Sequence, residues 1–126
     1  MDDETFEIDL DPVIRAAADA RRAIRLWVRE APFPGKRLDD LLLVVSELVS
    51  NAVIHAQTRL RLVIRYDGRR VLTEVFDGDP RLPVPADHPG EVGGRGLLLV
   101  DRLSHRWGSE NVGVGKRVWA ELAARL

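Results

Sequence analysis

The sequence predicts an α+β fold, a two-layer sandwich in which a mixed, mainly antiparallel sheet carries helices on one face. Three observations predict it. The apolar period is helical through His55 and strand-like after it. Asp67-Gly68 is a tight-turn signal between two alternating runs. Hairpins outnumber crossovers in the predicted order β-α-α-β-β-loop-α-β-β. At 126 residues the chain suits one domain, 1–126, without an interdomain linker or repeats.

Taken in order, Phe6, Ile8 and Leu10 alternate with Glu7 and Asp9, a short half-buried strand. Asp11-Pro12 supplies an N-cap followed by proline at the first helical position. The helix so opened runs to about Glu30, with Val13, Ala17, Ala20, Ile24, Trp27 and Ala31 on one stripe. Arginines 15, 22, 25 and 29 take its other face, a solvated face or a dock for an acidic partner. Residues 32–35 break the helix. Leu38–Ala56 then reads as a helix of about five turns, apolar nearly all round and therefore buried on most sides. Leu60, Leu62, Ile64 and Tyr66 form the apolar side of one strand, and Val71, Thr73, Val75 and Asp77 one side of the next. Residues 79–92 lack a period and hold four of the seven prolines; a loop this long in a compact domain is functional or disordered. Gly93, Gly94 and Gly96 precede a short helix. His105–Asn111 is a strand, Gly113–Gly115 a turn, and Val118, Ala120 and Leu122 line the closing strand. The core is expected to contain Leu48, Ala52, Leu60, Leu62, Ile64, Val71 and Val75.

Composition narrows the function. With 45% hydrophobic and 31% charged residues the chain is globular. A formal net charge of -1 argues against nucleic-acid binding as the main activity. The absence of cysteine excludes disulfides and thiolate metal sites. No apolar run reaches the length of a membrane span and the acidic start is no signal peptide, so a cytoplasmic protein is expected.

Three polar features interrupt this pattern. Glu47 and Asn51 lie four apart on the central helix, hence on one face. A carboxylate in an apolar wall calls for a partner, a ligand or a metal. Glu47 could pair with an arginine and Asn51 cap a turn; alternatively, both could serve a hydrated cation such as Mg²⁺, or one could hold the ion while the other handles a proton. Asp77 at a strand end can accept from an exocyclic amine. Glycines at a helix N-terminus let a phosphate reach bare backbone N–H groups.

In this order the three resemble a family. Glu47-Leu48-Val49-Ser50-Asn51-Ala52-Val53-Ile54-His55-Ala56 is similar to the N box of the GHKL superfamily, the gyrase, histidine kinase and MutL ATPases. Asp77-Gly78 falls where that superfamily has its adenine-binding aspartate, and Gly94-Arg95-Gly96-Leu97 resembles its second glycine box. The short length, residues Gly93–Gly108 and the tail Gly115–Leu122 are similar to the bacterial anti-sigma-factor serine kinases among the histidine-kinase-like ATPases. The resemblance implies a Bergerat-type ATP site. Asn51 would ligate Mg²⁺, and Glu47 would be the catalytic base toward a serine of a STAS-domain anti-anti-sigma partner. Asp77 and Gly78 would receive the adenine; Gly93, Gly94, Arg95, Gly96 and Leu97 would line the triphosphate. Residues 79–92 would form the ATP lid. The implied partners are a sigma factor and the STAS-domain protein; a homodimer is a separate possibility that the sequence leaves open. A degenerate module that keeps the fold and sequesters a partner without efficient phosphotransfer is the alternative. The chain also departs from the family. Its adenine motif usually reads D-x-G-x-G, and here Asp79 and Arg81 replace the two later glycines. Arg117 stands where many relatives have a threonine whose hydroxyl supports the adenine contact.

Overall fold

The computed structural model describes residues 4–31, 33–82 and 94–124. The elements are β1 (Glu4–Leu10), α1 (Ala16–Trp27), α2 (Leu38–His55), β2 (Leu60–Tyr66), β3 (Arg70–Asp77), α3 (Gly94–Leu103), β4 (Arg106–Val112) and β5 (Gly115–Ala123). They follow the predicted order. The five strands form one sheet, β1-β2-β3-β5-β4. Every pairing is antiparallel, where a mixed sheet was expected. The reason is topological: β4 runs parallel to β3, but β5 folds back between them and pairs with both.

The β2–β3 turn shows how the sequence sets local geometry. Gly68 takes φ 93°, the left-handed region that favours glycine. Asp67 Oδ1 accepts the N–H groups of Arg69 and Arg70, each at 2.8 Å. These bonds hold the Asp67 carboxyl below the usual carboxylate range.

α1 begins later than Pro12 suggests. Residues 11–15 form a turn in which Val13 N–H donates to Asp11 C=O and Ala16 N–H to Val13 C=O. Asp11 lies beside Arg59 and does not cap the helix. The buried stripe is therefore Ala16, Ala20 and Ile24, while Val13 is 43% exposed.

Helices cover one face of the sheet. α2 packs between α1, which also meets β1, and α3, which also meets β4. The seven expected core residues are all buried, and each full-size aliphatic side chain so placed contributes on the order of 2 kcal/mol. The opposite face carries charge. Glu74 lies between Arg65 and Arg117, and Trp119 lies under the guanidinium groups of Arg106 and Arg117. Gly108 is small because the Trp119 ring passes 3.0 Å from where its Cβ would be. No helix among the described residues is long and apolar enough to cross a membrane.

Candidate functional site

Four segments meet at one end of the sandwich. β3 ends there, and β5 starts beside it with Lys116 in register opposite Asp77. The C-terminal turn of α2 reaches the same end, because Arg81 Nη2 donates to the His55 carbonyl at 3.2 Å. α3 starts there too. Its C-terminus feeds β4, whose first residue pairs with Glu121 near the far end of β5.

Asp77 follows Val71, Thr73 and Val75 on the helix-facing side of β3, as strand alternation dictates. Its side chain is 0% exposed. Oδ1 accepts from Lys116 Nζ at 3.0 Å and from the Asp79 N–H at 2.8 Å. Oδ2 is buried and has no partner among the described residues. Three buried side-chain polar atoms lack a partner there, and the other two, Thr73 Oγ1 and Ser104 Oγ, are neutral hydroxyls. An unspent carboxylate oxygen is the costlier to bury and so the strongest mark of a ligand position.

Close packing fixes the strand ends. A Cβ on Gly115 would lie 1.9 Å from the Asp77 carbonyl oxygen, so only glycine fits. Gly78 N–H donates to Thr58 Oγ1 at 2.8 Å, joining the end of β3 to the α2–β2 connection.

On α2, the margin of the buried sector that meets α1 is marked by Ser46. Its Oγ accepts from Arg21 Nη1 and donates to the Leu42 carbonyl, both at 2.8 Å. Glu47 and Asn51 occupy the opposite margin, toward α3, by the 100° step of the helix. Both are half-buried. Neither makes a side-chain hydrogen bond or ion pair among the described residues. Glu47 is thus no arginine's partner there, and Asn51, four residues inside the end of α2, caps nothing.

The second glycine box is divided. Gly94, Arg95 and Gly96 form the first turn of α3. Leu97 is 2% exposed, so its side chain is buried and what it can offer a ligand is its backbone. Gly93 and most of the expected lid, residues 83–92, lie outside the described residues.

Two positions that depart from the family pattern have ionic partners of their own. Asp79 is not an uncompensated charge beside a base pocket. Its carboxylate meets Arg81 Nη2 at 2.6 Å and accepts the Arg81 N–H at 2.9 Å. This arginine holds the Asp79 carboxyl well below the usual range. Nor does Arg117 face the pocket. It points to the open side of the sheet, with Nε 2.5 Å from Glu74 Oε2 and Nη1 3.1 Å from Glu110 Oε1. The β5 residue that meets Asp77 is Lys116, whose side chain is 5% exposed and also donates to the Asp79 carbonyl at 3.0 Å. The signal for it was present: position 116 shares the parity of Val118, Ala120 and Leu122, the inward side of the closing strand.

A helix-covered antiparallel sheet, with an aspartate oxygen and a helix-borne asparagine left unbonded among the described residues, has the layout of an ATPase sandwich. The chain belongs to the histidine kinase-like ATPase domain family, which it matches over residues 11–122. Among solved structures it is similar to the RsbU and RsbW domains of Rv1364c from Mycobacterium tuberculosis, with TM-score 0.68 and 20% identity. That likeness covers 94% of this chain and 31% of the other, and at this identity it speaks for the fold. No curated protein matches the chain.

Proposed function

We propose that the chain is an ATP-binding anti-sigma factor with serine/threonine protein kinase activity toward a STAS-domain anti-anti-sigma partner. The observation that carries this reading is Asp77, a buried carboxylate with one unspent oxygen, at the end of the sheet shared by Asn51 and the start of α3. The residues present fit the nucleotide. Asp77 Oδ2 is an acceptor for the exocyclic amine of the base. The α3 backbone offers N–H donors to phosphate oxygens. Asn51 offers its side-chain oxygen to Mg²⁺. Among the described residues no group of three or more His, Asp or Glu could hold a metal, which suits an ion that keeps several waters and is held mainly by phosphates.

ATP with Mg²⁺ supplies a γ-phosphoryl group whose charge the cation neutralises. The chain's own task is positioning. Glu47, one turn before Asn51, orients the serine hydroxyl of the partner and takes its proton on the carboxylate. The degenerate-module reading has one observation in its favour, the Lys116 ammonium already bonded to Asp77 Oδ1.

The test mixes the protein with labelled ATP and a panel of STAS-domain proteins. Transfer to a serine, slowed on the order of a hundredfold in Glu47→Gln, supports the kinase. Tight partner binding with transfer to none of them makes the module the better account. Sigma-factor binding survives Glu47→Gln in either case, because that contact uses the outer surface. A cytoplasmic location and a homodimer belong to the same proposal.

A further inference from the structure

Lys116 bonds Asp77 Oδ1 and leaves Oδ2 without a partner among the described residues. The torsion that turns an aspartate carboxylate is broad and roughly two-fold, so the backbone alone does not fix where its oxygens point. Here two donors from different segments converge on one oxygen. The Lys116 ammonium reaches it from β5 at 3.0 Å, and the Asp79 N–H from the turn after β3 at 2.8 Å. The same ammonium donates to the Asp79 carbonyl at 3.0 Å, so it also closes the turn that presents that N–H. Lys116 itself has little freedom. It stands opposite Asp77 in the β3–β5 register, its side chain is 5% exposed, and Gly115 before it packs against the Asp77 carbonyl. Its charge also offsets the cost of burying the carboxylate.

We propose that Lys116 is a positioning residue for nucleotide binding. It turns the Asp77 carboxylate so that Oδ2 is the oxygen presented to the exocyclic amine of the base, and it acts through Oδ1 rather than on the base. This rests on the nucleotide-binding reading above. It opposes the alternative in which the ammonium occupies the site and keeps a base out, and the two predict opposite signs.

The test is calorimetric titration with ATP and with inorganic triphosphate, in Mg²⁺, on wild type, Lys116→Met and Lys116→Gln. Lys116→Met should bind ATP at least about tenfold more weakly, as expected when one charged hydrogen bond is misdirected, with triphosphate little changed. Lys116→Gln keeps a donor without the charge and should show the same split in smaller measure; it decides if the Met variant does not fold. Adding Asp77→Asn to Lys116→Met should cost little further ATP affinity, because both changes act through one contact. Tighter or unchanged ATP binding in a folded variant overturns the assignment, as does an equal loss for ATP and triphosphate or an additive double variant. The wild type supplies a readout that needs no variant. Lys36 and Lys116 are its only lysines, and Lys36 is exposed. In a pulse of acetic anhydride read by mass spectrometry, Lys116 should stay protected relative to Lys36 with and without ATP. Acetylation of Lys116 that rises on addition of ATP would show that it leaves Asp77 to admit the base, and overturns the assignment. A wild type that binds no ATP overturns the nucleotide reading and this inference together.

Discussion

Glu74 and Asp77 stand three residues apart on β3, on opposite faces of the sheet, and both meet cations from β5. Glu74 has each oxygen occupied, Oε1 by Arg65 Nε at 3.0 Å and Oε2 by Arg117 Nε at 2.5 Å. Among the described residues, Asp77 has both of its bonds on one oxygen and none on the other. A carboxylate with both oxygens bonded to cations on either side holds strands together. One left half-satisfied in a buried place still has an acceptor to offer. Burial and charge do not separate these two residues; the way the bonds are shared between the two oxygens does.

The difference can be broken most severely at Gly115. Gly115→Ala drives a methyl group into the Asp77 carbonyl and should cost about 3 kcal/mol or more of folding free energy, read from the denaturant midpoint. Lys116→Met comes next. It leaves the Asp77 carboxylate buried without its cation and should cost about 3 kcal/mol. Arg117→Met should cost less, about 1 kcal/mol, because Glu74 keeps Arg65 and because Arg117 itself is partly exposed. Equal losses at 116 and 117 would erase the distinction between the two faces. The smallest effect lies away from both, at the β2–β3 turn. The Asp67 carboxyl is lowered from 3.8 by its bonds to Arg69 and Arg70 N–H. Its contribution to stability is present above about pH 4 and is lost as the pH falls through the lower folded value. Asp67→Asn should therefore flatten the acid side of the stability profile slightly.

Much of this was legible in the sequence. The change of period at His55 placed α2 and β2 to within a residue, and Asp67-Gly68 placed the hairpin. Glu47 and Asn51 were readable because polar residues in an apolar helix stand out. Other features depend on contacts distant in sequence. The start of α1 was misread because Asp11-Pro12 is equally good turn chemistry. The all-antiparallel sheet follows from β5 inserting between β3 and β4, which no local pattern records. Arg117 is one residue off the inward side of β5, and Lys116 is the residue that meets Asp77. Leu97 sat inside a glycine motif, but its side chain obeys the apolar stripe of α3.

The central claim is that the unspent oxygen of Asp77 is a base acceptor. Calorimetric titration with ATP and with inorganic triphosphate, with and without Mg²⁺, tests it on wild type, Asp77→Asn and Glu74→Gln. Asp77→Asn should weaken ATP at least about tenfold, as expected for one charged hydrogen bond, and leave triphosphate nearly unchanged, while Glu74→Gln leaves both unchanged. Asn51→Ala, measured alongside, should lose affinity mainly when Mg²⁺ is present. Wild-type protein that gives no heat at millimolar ATP, or an Asp77→Asn variant that binds ATP as tightly as wild type, would contradict the account.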